Sequence, residues 1–184
     1  NYFSTITDLN FEVFSYISNN KNCSTNELTK KWKSVLKKVL SEYKFDVVGV
    51  SCTFTMNHEN MMEIFNEVKN FNKSIITIAG GVHVSNATEL VLKEGKNIDF
   101  ALTYEAEKSF VNFLDFINGN NELKPYQVST IFEDKFYQVL DRKNPEEHEL
   151  NAIPDYGKLD ISKLTELGEI GTFRYWRPKN SKGS

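Results

Sequence analysis

The stretch that decides the fold is Asp46-Val-Val-Gly-Val-Ser-Cys-Thr-Phe-Thr55. Small and apolar residues fill every position from Val47 to Val50, so hydrophobic and polar residues do not alternate. That pattern predicts a strand of a parallel sheet that is buried on both faces. Small hydroxylated residues follow, and an open α/β sheet keeps its ligand crevice where its strands end. Ser51 and Thr53 are therefore expected near any small molecule that the chain binds.

Composition narrows the class of protein. The chain has 184 residues, of which 40% are hydrophobic and 26% charged, as in an ordinary soluble globular domain. A net charge of -3 argues against a nucleic-acid surface. No apolar run reaches the roughly 18 residues that a membrane helix needs, and no signal peptide is visible. Cys23 and Cys52 have no metal-site spacing around them and cannot hold a metal by themselves, so a reduced cytoplasmic setting is expected.

Beyond this strand the chain alternates predicted strands and helices. Short loops between them imply parallel strands joined by right-handed crossovers. The expected fold is α/β, with a doubly wound, mostly parallel sheet. Ser85 is expected to cap the third predicted helix. The further strands are residues 74–79 and 99–103, and the helices are residues 25–43, 58–71, 85–92 and 105–117.

The N-terminal segment allows more than one interpretation. Residues 2–7 are rich in aromatic and β-branched residues, which favours a short strand. Asp8 is a helix-start signal, and residues 11–17 then place apolar side chains at roughly helical spacing. The same residues also alternate as in a strand, so a helix is preferred while a strand stays open.

The pattern changes after Asn118. Residues 128–132 and 136–140 flank Glu133-Asp-Lys135, which predicts a β-hairpin. The charged segment that follows, with Ile153-Pro-Asp-Tyr156, looks like an arm that leads toward another domain. The sequence therefore predicts an α/β domain over residues 1–120, followed by a hairpin and linker arm over residues 121–184.

Three strand ends carry residues suited to a ligand: Ser51-Cys-Thr53, Gly80-Gly-Val-His83 and Thr103-Tyr-Glu105. Parallel strands would bring them to one edge, where hydroxyls donate hydrogen bonds and paired glycines expose bare backbone. Each also has a structural interpretation, because hydroxyls cap helices, a Gly-Gly pair makes a tight turn, and Glu105 suits a helix's first turn. Nucleotide fingerprints and a nucleophile elbow are absent from the sequence.

The order and spacing of these strand ends resemble the cobalamin-binding domain of cobalamin-dependent radical S-adenosylmethionine enzymes. The family's D-x-V-G-x-S strand is similar to Asp46–Ser51, and its G-G-x-H is similar to Gly80–His83. Its G-E-G-E is similar to Tyr104-Glu-Ala-Glu107, although both glycines are replaced here. The resemblance covers residues 5–117 and implies a Rossmann-like cobalamin-binding fold.

The resemblance also implies a set of cofactor-binding residues. The strand-end hydroxyls would line the slot for the nucleotide tail of cobalamin, and the paired glycines would let its dimethylbenzimidazole pass. The third strand end would close the opposite wall. The family's motif for an axial histidine is missing, and His83 is expected to make structural hydrogen bonds, with His58 and His148 on the surface. The implied set is Ser51, Cys52, Thr53, Gly80, Gly81, Val82, Tyr104 and Glu105.

By the same resemblance, the chain would be a fragment of a methyltransferase. S-adenosylmethionine and a [4Fe–4S] cluster would belong to a radical barrel in cis, whose cysteine motif this sequence does not contain. The domain alone would hold the corrinoid for methyl or radical transfer and catalyse nothing. An alternative is a cobalamin-free domain of the same fold that recruits a substrate or partner. A flavodoxin-like flavin or receiver domain is a third possibility.

Overall fold

The computed structural model describes residues 2–20, 22–120, 122, 124–143 and 146. Contacts divide the chain into two compact units, one containing residues 1–42 and the other residues 43–152. The predicted arm around Ile153-Pro-Asp-Tyr156 and His148 lie outside the described residues. The predicted organisation into residues 1–120 and 121–184 stays a prediction.

The first unit contains two helices, α1 (Leu9–Asn19) and α2 (Thr25–Glu42), which pack against each other. Asp8 caps α1 by accepting a hydrogen bond from the Phe11 backbone N–H. Ser24 and Glu27 form a reciprocal capping box at the start of α2. The helical interpretation of residues 11–17 is thus confirmed. The strand predicted at residues 2–7 is wrong, because this segment is irregular and all of its side chains are exposed.

The second unit contains a five-stranded sheet in the order β1-β2-β3-β4-β5. Its first three strands are parallel, and β4 and β5 are antiparallel to their neighbours. The elements are β1 (Val47–Ser51), α3 (His58–Phe71), β2 (Ile76–Gly80), α4 (Val82–Asn86), α5 (Thr88–Glu94), β3 (Phe100–Leu102), α6 (Glu107–Ile117), β4 (Val128–Phe132) and β5 (Lys135–Gln138).

Helices cover both faces of this sheet. Met61 and Phe65 of α3 pack with Ala79 and Ala101 on one face, together with side chains of α4 and α5. Phe113 of α6 packs with Ile78, Leu102 and Val128 on the other face. The connections from β1 to β2 and from β2 to β3 have the same hand and advance across the sheet in the same direction, so their helices α3, α4 and α5 lie on one face. Helix α6 follows β3, the last parallel strand, and lies on the opposite face. The predicted α/β fold is confirmed.

The prediction that β1 is buried on both faces is wrong. β1 is the terminal strand of the sheet and pairs with β2. Its valines are only half-buried, and Gly49 and Ser51 are exposed. A continuous apolar run is typical of a central strand. The strands that pair with it, however, are determined by the rest of the chain and not by its own sequence pattern.

The predicted hairpin is confirmed, with a two-residue turn. Phe132 pairs with Lys135, and the intervening Glu133 and Asp134 have φ angles of 49° and 59°. Two successive positive φ angles define the type I′ turn, whose twist matches that of the flanking strands. Because β4 pairs with β3, the hairpin continues the sheet across residue 120.

An ionic contact ties the amino end of the sheet to α3. The Asp99 carboxylate accepts hydrogen bonds from the Lys69 ammonium at 2.6 Å and from the Thr77 backbone N–H at 2.8 Å. The Thr77 hydroxyl donates to the same oxygen at 2.9 Å. Hydrogen bonds to a charged group are the stronger kind, so this carboxylate fixes β2, β3 and the end of α3 together.

We expect Asp99→Ala to lower the free energy of unfolding by roughly 2–3 kcal/mol, because it removes the charged acceptor shared by Lys69 and Thr77 and leaves the Lys69 ammonium with backbone carbonyl partners. Urea unfolding followed by circular dichroism measures the change. Asp141→Ala, which removes an exposed carboxylate beyond β5, is the matched control and should leave the midpoint unchanged. Equal unfolding midpoints for the two variants would contradict the role assigned to Asp99.

Candidate functional site

The structure brings the three predicted strand ends to one edge, which we call the candidate edge: the carboxyl ends of β1, β2 and β3 with their loops. Ser51 pairs directly with Gly80. The Cys52 backbone N–H donates to the Gly80 carbonyl at 2.8 Å, and the His83 N–H donates to the Cys52 carbonyl at 3.1 Å. These bonds fix the loop after β1 against the loop after β2.

Ser85 connects the second strand end to the third. Its hydroxyl donates to the Gly81 carbonyl at 3.2 Å and accepts from the Tyr104 backbone N–H at 2.8 Å. The prediction that Ser85 caps a helix is wrong, because Ser85 lies inside α4 and α5 begins only at Thr88. Its side chain holds the turn after β3 against the turn after β2.

Gly81 is required by the fold. Its φ angle is 96°, and a Cβ atom there would lie 2.6 Å from the carbonyl oxygen of Cys52. Gly80 differs, because a Cβ atom there would meet only the Leu102 carbonyl oxygen, at 3.8 Å. Gly81 therefore allows the close approach of two loops, while Gly80 leaves space that a side chain could fill.

Gly80 belongs to a strip of small residues at the ends of β1 and β2, here named the strand-end groove: Gly49, Ser51 and Gly80. Alternation along the strands places all three on the α6 face, because Val47 and Ile78 pack with Phe113 on that face. Gly49 and Ser51 are exposed and Gly80 is half-buried. Sequence reasoning did not include Gly49 among the site residues, although its position two residues before Ser51 was a usable signal.

Exposed apolar side chains lie on the loop after β1 and at the start of α4, here named the apolar rim: Phe54, Met56 and Val82. These side chains are 62%, 85% and 58% exposed. Gly81, which precedes Val82, contacts the Cys52 backbone just before Phe54, so the rim belongs to one edge. Exposed apolar side chains at such an edge are typical of ligand or partner surfaces. Of the rim residues, sequence reasoning identified only Val82.

The turn after β3 forms a polar wall. Tyr104 has a φ angle of 61°, and the Arg142 guanidinium lies 4.5 Å from the centre of its ring. Arg142 also donates to Glu105 at 2.6 Å. Two hydrogen bonds hold the pKa of Glu105 below its usual range. The bond from the backbone is the larger cause, and the bond from Arg142 is the second. Tyr104 is half-exposed, and Arg142 was not identified from the sequence.

Gln127 supports this wall from beneath and was also missed by sequence reasoning. Its buried side-chain amide donates to the carbonyls of Thr103 and Glu105 at 2.8 and 3.0 Å. Its side-chain oxygen accepts from the Lys143 backbone N–H at 3.3 Å. Gln127 precedes β4 in the chain, and nothing in the local sequence distinguishes it from a surface glutamine.

The two remaining predicted residues differ in accessibility. Thr53 is exposed on the loop after β1. Cys52 is buried, and its thiol donates to the Phe54 carbonyl at 3.3 Å. Burial raises the pKa of the Cys52 thiol, which favours its neutral form. Its backbone lies at the edge, whereas its side chain belongs to the core.

The prediction that His58 lies on the surface is wrong. Its Nδ1 lies 2.9 Å from Nε2 of His83, and its Nε2 lies 2.9 Å from a carboxylate oxygen of Glu94. His83 is buried and also contacts the Thr55 hydroxyl at 3.2 Å, so the structural hydrogen bonds predicted for it are confirmed. Burial, and secondarily His58, lowers the pKa of His83.

No described helix is long and apolar enough to cross a membrane. No group of three or more His, Cys, Asp and Glu residues in the described ranges could hold a metal ion. Fold and edge together define an α/β protein whose candidate ligand site is the edge at the carboxyl ends of its parallel strands.

Comparison with known proteins supplies the family. Residues 8–114, more than half of the 184-residue chain, match the model of the B12 binding domain. An uncharacterised methyltransferase of Pyrococcus horikoshii is 28% identical over 91 residues, which are 50% of this chain and 20% of that protein. The chain belongs to the B12 binding domain family.

A solved structure shares the fold. It is the radical S-adenosylmethionine methyltransferase TsrM of Kitasatospora setae, with tryptophan substrate and an S-adenosylmethionine analogue bound. It matches 73% of this chain with a TM-score of 0.52 and 14% identity. The present chain thus spans a small part of both relatives, 20% of the curated protein and 27% of the solved chain.

We expect Gly81→Ala to destabilise the second unit by about 1–3 kcal/mol, because an L side chain is strained at this positive φ and its Cβ would overlap the Cys52 backbone. Gly80→Ala is the matched control on the adjacent residue and should change stability by less than about 1 kcal/mol. Urea unfolding of both variants measures the difference. Equal losses would show that the close approach is not what requires glycine at position 81.

We expect stability to fall with pH below about 6.5, the pKa of an unperturbed histidine. The pKa of His83 is lowered in the folded state, so the unfolded chain binds its proton first as the pH falls. The contribution of neutral His83 to stability is complete above about pH 6.5 and is lost below it. His83→Gln should therefore make the decline in unfolding free energy shallower. Unfolding free energies measured from pH 5 to 8 test this, and an unchanged slope in the variant would contradict it.

Proposed function

We propose that this domain holds cobalamin at the candidate edge, as the cofactor domain of a radical S-adenosylmethionine methyltransferase. The observation that carries the proposal is the strand-end groove in a chain of the B12 binding domain family. Bare backbone at Gly49 and Gly80 leaves room for a flat group, and Ser51, which pairs with Gly80, lies on the same face.

The residues present fit such a cofactor. Ser51 and Thr53 are exposed and would hydrogen-bond the nucleotide tail, while Gly80 would leave space for its dimethylbenzimidazole. Gly81 would act indirectly, by allowing the loop after β1 to approach the loop after β2. The backbone of Cys52 would line the same turn. These roles agree with the resemblance and with the exposure of Ser51 and Thr53.

The borders of the groove match the two kinds of surface that a corrinoid offers. The apolar rim, which includes Val82, would contact the hydrocarbon parts of the corrin ring. Tyr104 and Glu105, held by Arg142, would form the polar wall on the other side. Tyr104 replaces a glycine of the family motif, so the wall would contact the cofactor through a side chain and not through bare backbone.

When bound, cobalamin would supply a cobalt centre that carries a methyl group or takes part in radical chemistry. The chain's own residues would bind and orient the cofactor. S-adenosylmethionine and a [4Fe–4S] cluster are proposed for a further domain in cis, in a cytoplasmic enzyme. The names of the two relatives support this, because both are methyltransferases and both extend far beyond the region matched here.

A second candidate function is a cobalamin-free domain that recruits a substrate or partner. Tyr104 favours it, because a half-exposed ring under Arg142 stands where the family motif has glycine. The structural requirement for Gly81 also favours it, since one glycine of the pair is explained without a ligand. The apolar rim would then be a protein-binding surface.

We expect the protein to retain a corrin absorption band after mixing with hydroxocobalamin and desalting. Gly80→Trp should abolish retention, because its side chain would fill the groove from a position where a Cβ atom is tolerated. Phe132→Trp, at an exposed end of β4, adds an indole away from the edge and should retain the band. Circular dichroism should show a folded sheet in both variants.

Two outcomes would overturn the proposal. Wild-type protein that stays colourless, also after refolding and anaerobic reconstitution with the corrinoid, would favour the cobalamin-free function. Full retention by folded Gly80→Trp would show that the corrinoid binds elsewhere than in the strand-end groove.

A further inference from the structure

Four side chains form an unbroken line of hydrogen bonds next to the apolar rim, here named the proton chain: Thr55, His83, His58 and Glu94. The Thr55 hydroxyl oxygen lies 3.2 Å from Nδ1 of His83. Nε2 of His83 lies 2.9 Å from Nδ1 of His58. Nε2 of His58 lies 2.9 Å from the Glu94 carboxylate. The contacts join the loop after β1 to α4, α3 and α5.

The middle of the proton chain is shielded from water and its two ends are not. His83 is 6% exposed, and the His58 side chain is 12% exposed. Their rings lie at 87° to each other with centroids 5.1 Å apart, so each points a nitrogen toward the other. The Glu94 side chain is 53% exposed at one end, and Thr55 is exposed at the other. Thr55 lies between Phe54 and Met56 of the apolar rim.

The carboxylate fixes the position of every proton in this line. A carboxylate only accepts, so Nε2 of His58 must carry the proton in its contact with Glu94. The Nδ1 of a neutral His58 is then bare and accepts from the Nε2–H of His83. Nδ1 of His83 is bare in turn and accepts from the Thr55 hydroxyl. All donors point toward Glu94, and the Thr55 oxygen offers only lone pairs to the rim.

We propose that the proton chain is a one-proton switch that sets whether Thr55 accepts or donates a hydrogen bond at the apolar rim. A proton that reaches the Thr55 oxygen displaces its own hydrogen to Nδ1 of His83. The Nε2–H of His83 moves to Nδ1 of His58, which becomes an imidazolium beside the Glu94 carboxylate. His83 now donates from Nδ1 to Thr55, and the Thr55 hydroxyl is free to donate outward.

The surroundings favour one added proton, and not two, on the pair formed by His58 and His83. A second proton would place two N–H groups face to face across 2.9 Å. Burial lowers the pKa of His83, which favours its neutral form. The proposal places the charge on His58 because its Nε2 lies 2.9 Å from the Glu94 carboxylate. Cys52 also contacts the pair: its carbonyl accepts from the His83 backbone N–H, and burial raises the pKa of its thiol. A neutral thiol there adds no competing charge.

The switch is tested first in the protein without any ligand. Nitrogen-15 NMR of the imidazole rings at pH 8 should show both His58 and His83 protonated at Nε2 and bare at Nδ1, with His58→Gln and His83→Gln identifying the signals. On acidification, His83 should change from the Nε2–H to the Nδ1–H form while His58 becomes doubly protonated. A Nδ1–H form of either ring at pH 8, or a doubly protonated His83 alone, would overturn the proposal.

Two matched pairs of variants isolate the ends of the proton chain. At pH 8, Glu94→Gln should let His58 and His83 occupy both the Nε2–H and the Nδ1–H forms, because an amide both donates and accepts. Glu89→Gln neutralises the other carboxylate of α5, which pairs with Lys93, and should leave the pattern intact. Thr55→Val should leave the pH 8 pattern unchanged, because Glu94 fixes it through His58, but should move the change of His83 to the Nδ1–H form to lower pH, because that N–H loses its acceptor. Thr55→Ser keeps the hydroxyl and should keep the wild-type midpoint. Equal effects within either pair would overturn the proposal.

A second measurement, which rests on the proposed function, follows hydroxocobalamin retention from pH 5 to 8. Retention should depend on pH in the wild type and in Glu89→Gln but lose that dependence in Glu94→Gln and Thr55→Val. The same pH dependence of retention in all four proteins would show that the switch does not affect ligand binding at the apolar rim. Failure of the wild type to retain the corrinoid at any pH would count against the proposed function alone, because the NMR result is independent of the ligand.

Discussion

The candidate edge depends on the approach of the Gly81 backbone to the Cys52 backbone, which leaves no space for a Cβ atom. This contact sets the loop after β1 directly against the loop after β2. The reciprocal hydrogen bonds through Cys52 can form only at that separation. Ser85 then extends the connection to the turn after β3. A single glycine at position 81 therefore determines the shape of an edge built from three strands.

The edge combines a fixed backbone with accessible side chains. Its backbone is held by Ser85 and by the buried amide of Gln127. Its exposed groups are the hydroxyls, the apolar rim and the Tyr104–Arg142 pair. Such a division suits binding and orientation of a ligand, because an ordered site loses little conformational entropy when the ligand arrives. It also agrees with a domain that positions a cofactor and leaves the chemistry to that cofactor.

Much of the fold could be predicted because local patterns reflect local energetics. The helix predicted at residues 58–71 and the helix-start signal at Asp8 each depend on residues close in the chain, and the structure confirms them. Long-range choices were less predictable. The run from Val47 to Val50 indicated a central strand, yet β1 terminates the sheet because strand order depends on distant segments. His58 was expected on the surface because its partners lie 25 and 36 residues away in the chain.

The sequence by itself determined the alternation of strands and helices, the hairpin and the three strand ends that carry hydroxyls and glycines, since each depends on side-chain periodicity or on backbone freedom. Only the tertiary structure decided what those residues do. It separated Gly81, which the fold requires, from Gly80, which leaves open space. It also brought Gln127 beneath the third strand end and joined two histidines between Thr55 and Glu94. Such contacts follow from the packing of elements that are far apart in the chain, and no local pattern encodes them.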